Sequence, residues 1–503
     1  MSTAAAIAST ASGPPAPSPI LRYDFPGWLP PMLVKELRQG LRTRGFVGAL
    51  VIFQLLMLLL TLVALSSSST RNGVRMTGMA ASTGFFWTLI GVQLLLATPA
   101  RALNGLQLEV ESRTLDLLML TRLDAWRIVL GKWISLLVQG TLLLVSMLPY
   151  LIVRYFTDQA DILGDLGRCI MLLGFCAVLT AAGLWTSGVA KALRVFMVVL
   201  VVFWTLGMGG SFGPRFFGFR VASSSAAGNP LFQLLDSPLD VINAALITAY
   251  FLISAVRNIA PVAENHCFFT RILPLLALLP APFAKILGAQ GVAERQLAFG
   301  AAFLALVLMF ELALSRDPMP SHWREWRRGG GLRRVAGRGA LPGWASAFLF
   351  GLLATGVWMV FALIVLPTGT VSSRETALLA VRLALLAFAG FVFPAVLRSF
   401  LRPRVSPPMV YFCALVLPLL LAGVSMALAE SMWKFEPLRD VMVAMPVSSF
   451  LFALPSRLDW PVAEQVGVVV AIAVLVVGGW QTRSYWQQLR LFEARDRAAE
   501  KPA

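Results

Sequence analysis

Phe46–Leu65 reads FVGALVIFQLLMLLLTLVAL, twenty residues without a charge. A helix needs about 20 mostly apolar residues to cross roughly 30 Å of hydrocarbon, so this stretch is a membrane span. The fold question then becomes how often the signal recurs. It recurs at Met79–Pro99, Ile134–Tyr155, Cys169–Ala190, Val195–Phe212 and Val241–Val256. A weaker run, Ile272–Leu287, holds Pro274, Pro280, Pro282 and Lys285. Beyond it come Gln296–Ser315, Trp344–Leu366, Thr376–Leu397, Met409–Ala429 and Ala463–Trp480. The expected fold is all-α, a polytopic transmembrane helical bundle of about 12 spans.

Composition agrees. Of 503 residues, 58% are hydrophobic and 13% charged, with mean hydropathy +0.76. Soluble domains carry about 45–50% apolar and about 25% charged residues. The net charge is +17, but the basic residues sit in short loops between spans and no nucleic-acid motif accompanies them. They read as a topology signal and as attraction to anionic membrane lipid.

With the N-terminus cytoplasmic and every span crossing, 29 of the 42 Lys and Arg residues fall in cytoplasmic segments and 11 outside or, for Arg154, at the outer end of a span, with Lys285 and Arg382 within other spans. Basic residues gather in cytoplasmic loops, so both termini are expected in the cytoplasm. Arg257 and Arg271 precede the weak seventh run, and Arg316–Arg338 follow the eighth; both sets belong inside. Ile272–Leu287 must therefore cross. Residues 1–29 are an Ala/Ser/Pro-rich tail, 30–270 a first six-span domain, 271–480 a second with the basic loop 316–343, and 481–503 a cytoplasmic tail.

Upstream of the first span, Pro30–Arg44 reads PPMLVKELRQGLRTR. Proline suits a helix start; Leu33, Leu37 and Leu41 share one face, and Lys35, Arg38 and Arg42 another. This is an amphipathic helix for the cytoplasmic interface. Between the second and third spans lies RALNGLQLEVESRTLDLLMLTRLDAWRIVLGK, Arg101–Lys132, far longer than a connection requires. Gln107–Leu120 is expected helical, with Glu109, Ser112, Arg113 and Asp116 on one face and Leu108, Leu115, Leu118 and Met119 on the other. Thr121–Asp124 resembles a capping box starting a second helix, with Trp126 and Lys132 as interface anchors. Two faces of this kind suit docking on a partner; the plainer reading is a solvated helix on the bilayer.

The remaining signals are structural. Ala177, Ala181, Gly183 and Ser187 are small residues at helix spacing, which lets a neighbour approach. Glu311, Lys285 and Arg382 lie near span ends, where a charge snorkels. Cys169, Cys176, Cys267 and Cys413 form no CxxC pair, and His266 and His322 no metal spacing, so free thiols and no metal site are expected. The outer loop Glu430–Pro461 carries Glu436, Asp440 and Asp459 without a catalytic pairing.

The order of these segments resembles a type-2 (ABC-2) ABC transporter permease over about residues 30–265. The matching residues are Lys35, Glu36, Leu37, Arg38 and Arg42; then Glu109, Glu111, Thr114, Asp116 and Leu118; then Ile128-Val129-Leu130-Gly131-Lys132. Gly228-Asn229-Pro230-Leu231 is a further echo. Arg122 departs from the family's proline, and the second six-span unit is absent from its simplest members. The resemblance implies a transport subunit of the cell membrane, an exporter, whose 107–120 helix couples to a nucleotide-binding ATPase subunit. It allows a homodimer or pairing with a related permease. The chain itself lacks the phosphate loop GxxxxGK[ST]: Gly131-Lys132 has Trp126 before it and Trp133 after. ATP would be bound by the partner, with no cofactor in this chain. The alternatives are a secondary transporter and a membrane enzyme acting on lipid-linked substrates.

Overall fold

The computed structural model describes residues 31–67, 86–106, 124–158, 162–187, 238–261, 264–313, 341–365 and 461–499, with a few positions between 388 and 410. Among the described residues there is no strand. Eight helices are long and apolar enough to cross a membrane: Arg44–Val63, Phe86–Leu103, Ala125–Phe156, Ile162–Ser187, Leu239–Ile259, Cys267–Ile286, Gln290–Leu312 and Trp344–Val365. Each falls on one of the expected spans, the weak seventh included. A ninth apolar segment, Val469–Arg483, is shorter. It lies within a helix that continues to Ala499, so the expected C-terminal tail is helical for most of its length. The runs at 195–212 and 411–429 lie outside the described residues, as does nearly all of 376–397.

The first helix, α1 (Pro31–Arg42), starts at proline and buries Leu33 and Leu37. Thr43 ends it and begins α2 (Arg44–Ser67): its hydroxyl donates to Gly40 O at 2.7 Å and accepts from Phe46 N at 3.4 Å. The second span contains a π-helical turn, Val92–Ala97, before α3 (Thr98–Gly105). Its cause is Pro99, which lacks an N–H and crowds the carbonyl four residues back. The wider turn lets the Thr98 hydroxyl donate to Gln93 O at 3.1 Å.

The third span is two helices, α4 (Ala125–Val145) and α5 (Leu148–Asp158), parted at Ser146. Gln54 of α2 donates from Nε2 to Ser146 O at 3.2 Å and to its hydroxyl at 2.6 Å, which satisfies backbone polarity opened at the break. Next come α6 (Ile162–Ser187) and α7 (Pro238–Ile259). The seventh span is α8 (Cys267–Leu278) and α9 (Pro280–Ile286). Gly288, at φ +79°, then turns the chain into α10 (Gln290–Ala313). The turn bonds Ala289 N to Ala284 O at 2.9 Å and Gly288 N to Lys285 O at 3.0 Å, the pairing that closes a helix through a left-handed residue. The last helices are α11 (Trp344–Val365) and α12 (Pro461–Ala499).

The core does not stop at residue 270. One hydrophobic cluster joins Val129 of α4, Trp185 of α6 and Tyr250 of α7 to Phe310 of α10, Phe348 of α11 and Val474 of α12. The Trp185 ring lies 4.2 Å from that of Phe310 and 5.6 Å from that of Phe251. At the end of the bundle occupied by α1, α6 and α7 both finish, tied by Asn258 Nδ2 donating to Trp185 O at 3.2 Å. The start of α7 therefore lies at the opposite end from Ser187.

Candidate functional site

At the end of the bundle that carries α1, two of the resembling motifs, KELR and IVLGK, come together. Glu36 Oε1 of α1 pairs with Lys132 Nζ of α4 at 3.5 Å, and their side chains are 17% and 9% exposed. Lys132, expected as an interface anchor, is buried. A charge removed from water is held by its partner and its hydrogen bonds, and here the partner is the KELR glutamate. One turn on, Ser135 donates to Lys132 O at 2.9 Å. A further turn on, buried Gln139 accepts from Arg101 Nη1 of α3 at 3.3 Å, and its amide lies against Gly40 of α1. The Arg101 guanidinium sits 5.1 Å from the Phe46 ring of α2. Four helices thus meet through Glu36, Lys132, Gln139, Arg101 and Phe46.

Among the other residues of the interfacial helix, Leu37 is buried, Arg38 half-buried, and Lys35 and Arg42 exposed. The face expected to be apolar packs inward and the basic face outward.

This joint frames the segment expected to couple. Leu106, its last described residue on one side, is buried with Ala102 and Leu184. Asp124, the first on the other, caps α4, its carboxylate accepting from Trp126 N at 3.5 Å. The helix start is therefore Asp124 rather than the expected Thr121. Glu109, Glu111, Thr114, Asp116 and Leu118 lie outside the described residues.

The small-residue face of α6 meets the second span closely. A Cβ on Gly183 would lie 2.9 Å from Ala102 Cβ and 3.0 Å from Pro99 O. Ala181 is fully buried, Ala177 O accepts from Trp133 Nε1 at 3.0 Å, and the Ser187 hydroxyl donates to Leu184 O.

Two charge clusters were not foreseen. Glu311 is 2% exposed and does not snorkel. Its carboxylate pairs with Arg257 and, at 3.0 Å, with Arg271 Nη2, and accepts from the Thr270 hydroxyl at 3.1 Å. Arg271 also donates to the Ser346 hydroxyl at 2.7 Å. Four helices, α7, α8, α10 and α11, are cross-tied at the same end as the Glu36–Lys132 joint. Arg257 and Arg271, counted by sequence as loop cations, are structural partners of a buried acid. At the far end, buried Asp165 takes Arg154 at 3.1 Å and Arg168 at 2.8 Å. The fourth span was expected from Cys169, but α6 starts at Ile162 and carries both Asp165 and Arg168. Lys285, the other charge noted within a span, bonds Gln290 across the Gly288 turn. Arg382 lies outside the described residues.

Cys169, Cys176 and Cys267 are buried thiols in no disulfide, with Cys267 at the start of α8. Among the described residues no group of His, Cys, Asp and Glu could hold a metal. Compared with known proteins, the chain matches no family model, no curated protein and no solved structure.

Proposed function

We propose that this chain is the membrane permease subunit of an ATP-driven exporter in the cytoplasmic membrane, with both termini cytoplasmic and a separate nucleotide-binding subunit as its motor. The observation that carries the reading is the Glu36–Lys132 pair. The KELR and IVLGK motifs, 96 residues apart, were matched by order alone, and they touch. A helix lying along the membrane surface is thereby locked to the span that follows the expected coupling segment. Force delivered to residues 107–120 would enter α3 and α4 directly, because Leu106 and Asp124 are both fixed to the bundle. Basic loops at the α1 end support its placement in the cytoplasm.

The secondary-transporter alternative would draw on Glu311 and Asp165 as intramembrane acids. Each is held by two arginines, which suits a fixed strut rather than a carboxylate that loads and releases a proton. The test is reconstitution in sealed vesicles with the nucleotide-binding subunit. Export requiring ATP hydrolysis by that subunit supports the proposal. Uptake or export driven by an ion gradient alone contradicts it.

A further inference from the structure

In a bilayer a helix gains little by hiding leucines, because lipid tails are as apolar as leucine. Close packing and interhelical hydrogen bonds hold it to its neighbours instead. By that measure α2 is the most loosely held of the eight membrane-length helices. It buries 17% of its span, against 33–59% for the other seven. Among its described side chains Phe46, Phe53 and Met57 alone are buried. Past Met57, Leu58, Leu59, Leu62 and Val63 are 48–59% exposed.

The two ends of α2 are held differently. At the α1 end, Thr43 joins the two helices in a tight elbow, its hydroxyl donating to Gly40 O at 2.7 Å. Glu36 of α1 holds Lys132 of α4, and the Arg101 guanidinium lies 5.1 Å from the Phe46 ring. Past Met57, α2 makes no hydrogen bond to another helix among the described residues; the Thr61 hydroxyl turns back to Met57 O at 2.7 Å. Between the two ends, at the middle of Arg44–Val63, stands Gln54. Its Nε2 donates to Ser146 O at 3.2 Å and to the Ser146 hydroxyl at 2.6 Å, and its backbone O accepts from the Tyr150 hydroxyl at 3.2 Å. All three bonds fall on the break between α4 and α5. There Tyr150 N bonds Met147 O at 3.0 Å, which leaves Ser146 O for Gln54.

We propose that α2 is a movable span, pivoting at the Thr43 elbow and latched at its middle by Gln54 on Ser146 and Tyr150. Hinges of this kind are a few residues at element ends. Release of the latch swings the far end of α2 away from α5 and opens the bundle sideways to lipid. The latch is a property of this chain and stands without the transport reading. The experiment uses the full chain in lipid nanodiscs, with Cys169, Cys176, Cys267 and Cys413 replaced by alanine and nitroxide pairs measured by pulsed electron paramagnetic resonance. Leu59→Cys with Val241→Cys reports the far end; Val47→Cys with Phe269→Cys reports the α1 end. All four positions are exposed. Q54L keeps the side chain's size and removes two bonds. It raises the share of a longer far-end distance about eight-fold over the parent, the worth of two average interhelical bonds in a bilayer. Y150F removes the third bond and raises that share about three-fold; it decides the matter where Q54L is not recovered folded. The α1-end distance keeps the parent's value in both. T61V, which removes a bond internal to α2, leaves both pairs unchanged. A parent-like far-end distribution in folded Q54L, or in Y150F where Q54L is lost, overturns the proposal. A shift of equal size at the α1 end or in T61V overturns it as well.

Discussion

Arg271 and Glu311, 40 residues apart in sequence, pair at 3.0 Å with 3% and 2% of their side chains exposed. Two full charges are buried where the chain is expected to pass from its first six spans to its second. Arg257, from the last helix before that boundary, joins the same carboxylate. Breaking a buried pair by removing one partner costs about 3–5 kcal/mol. Glu311→Ala, which strands two arginines, is expected to lower the melting temperature of the purified protein or abolish its recovery. Arg271→Met should be milder, because Arg257 still compensates the acid. A Glu311→Ala protein melting within a degree or two of the parent would show that the network carries no load.

The Glu36–Lys132 pair separates assembly from stability. Glu36→Lys places two cations together and is expected to weaken the docking of α1, read as faster proteolysis within residues 31–42. The swap Glu36→Lys with Lys132→Glu restores the attraction with its sense reversed, and should recover most of the protection. A swap no better than the single variant would mean that the helix is held by Leu33 and Leu37 alone.

Gly183 tests the contact of α6 with the second span. Its Cβ position lies 2.9 Å from Ala102 Cβ and 3.0 Å from Pro99 O, and one of these neighbours is backbone. Overpacking costs about 1–3 kcal/mol. Gly183→Val should reduce thermal stability by that order, while Ala177→Gly, which adds no volume, should not force the helices apart. Unchanged melting for Gly183→Val would place the close approach elsewhere.

The proposed topology predicts that a cysteine placed at Gly330 is protected from a membrane-impermeant maleimide in intact cells and labelled after permeabilisation. Labelling of intact cells would reverse the orientation of the second half.

The spans were legible because a run of about 20 apolar residues has one cheap solution in lipid. Even Ile272–Leu287, with three prolines, follows from the need to cross between two basic segments, and the structure places Cys267–Ile286 there. What the runs could not show is pairing. Arg257 and Arg271 look like loop cations, and Glu311 like a snorkelling acid, until helices 40 to 54 residues apart are brought together. Lys132 was misread for the same reason: its partner, Glu36, lies two spans upstream. Asp165 was passed over because the apolar run was taken to begin at Cys169, four residues after it. Hydropathy marks where a span is apolar enough, whereas the helix itself starts earlier and carries its charges into the bundle.

The claim of a separate motor engaged at residues 107–120 is tested most directly by ATP turnover of the assembled complex. The chain is purified with its nucleotide-binding subunit, and the parent is compared with Glu109→Ala/Asp116→Ala and with Glu109→Lys/Asp116→Lys. Truncating one partner of a buried charged contact costs about 2–5 kcal/mol at an interface. The alanine pair should therefore lose co-purification or stimulated turnover, and the lysine pair should lose more, while both variants fold and insert as the parent does. Parent-like assembly and turnover in both, or ATP hydrolysis by this chain without a second subunit, would contradict the account.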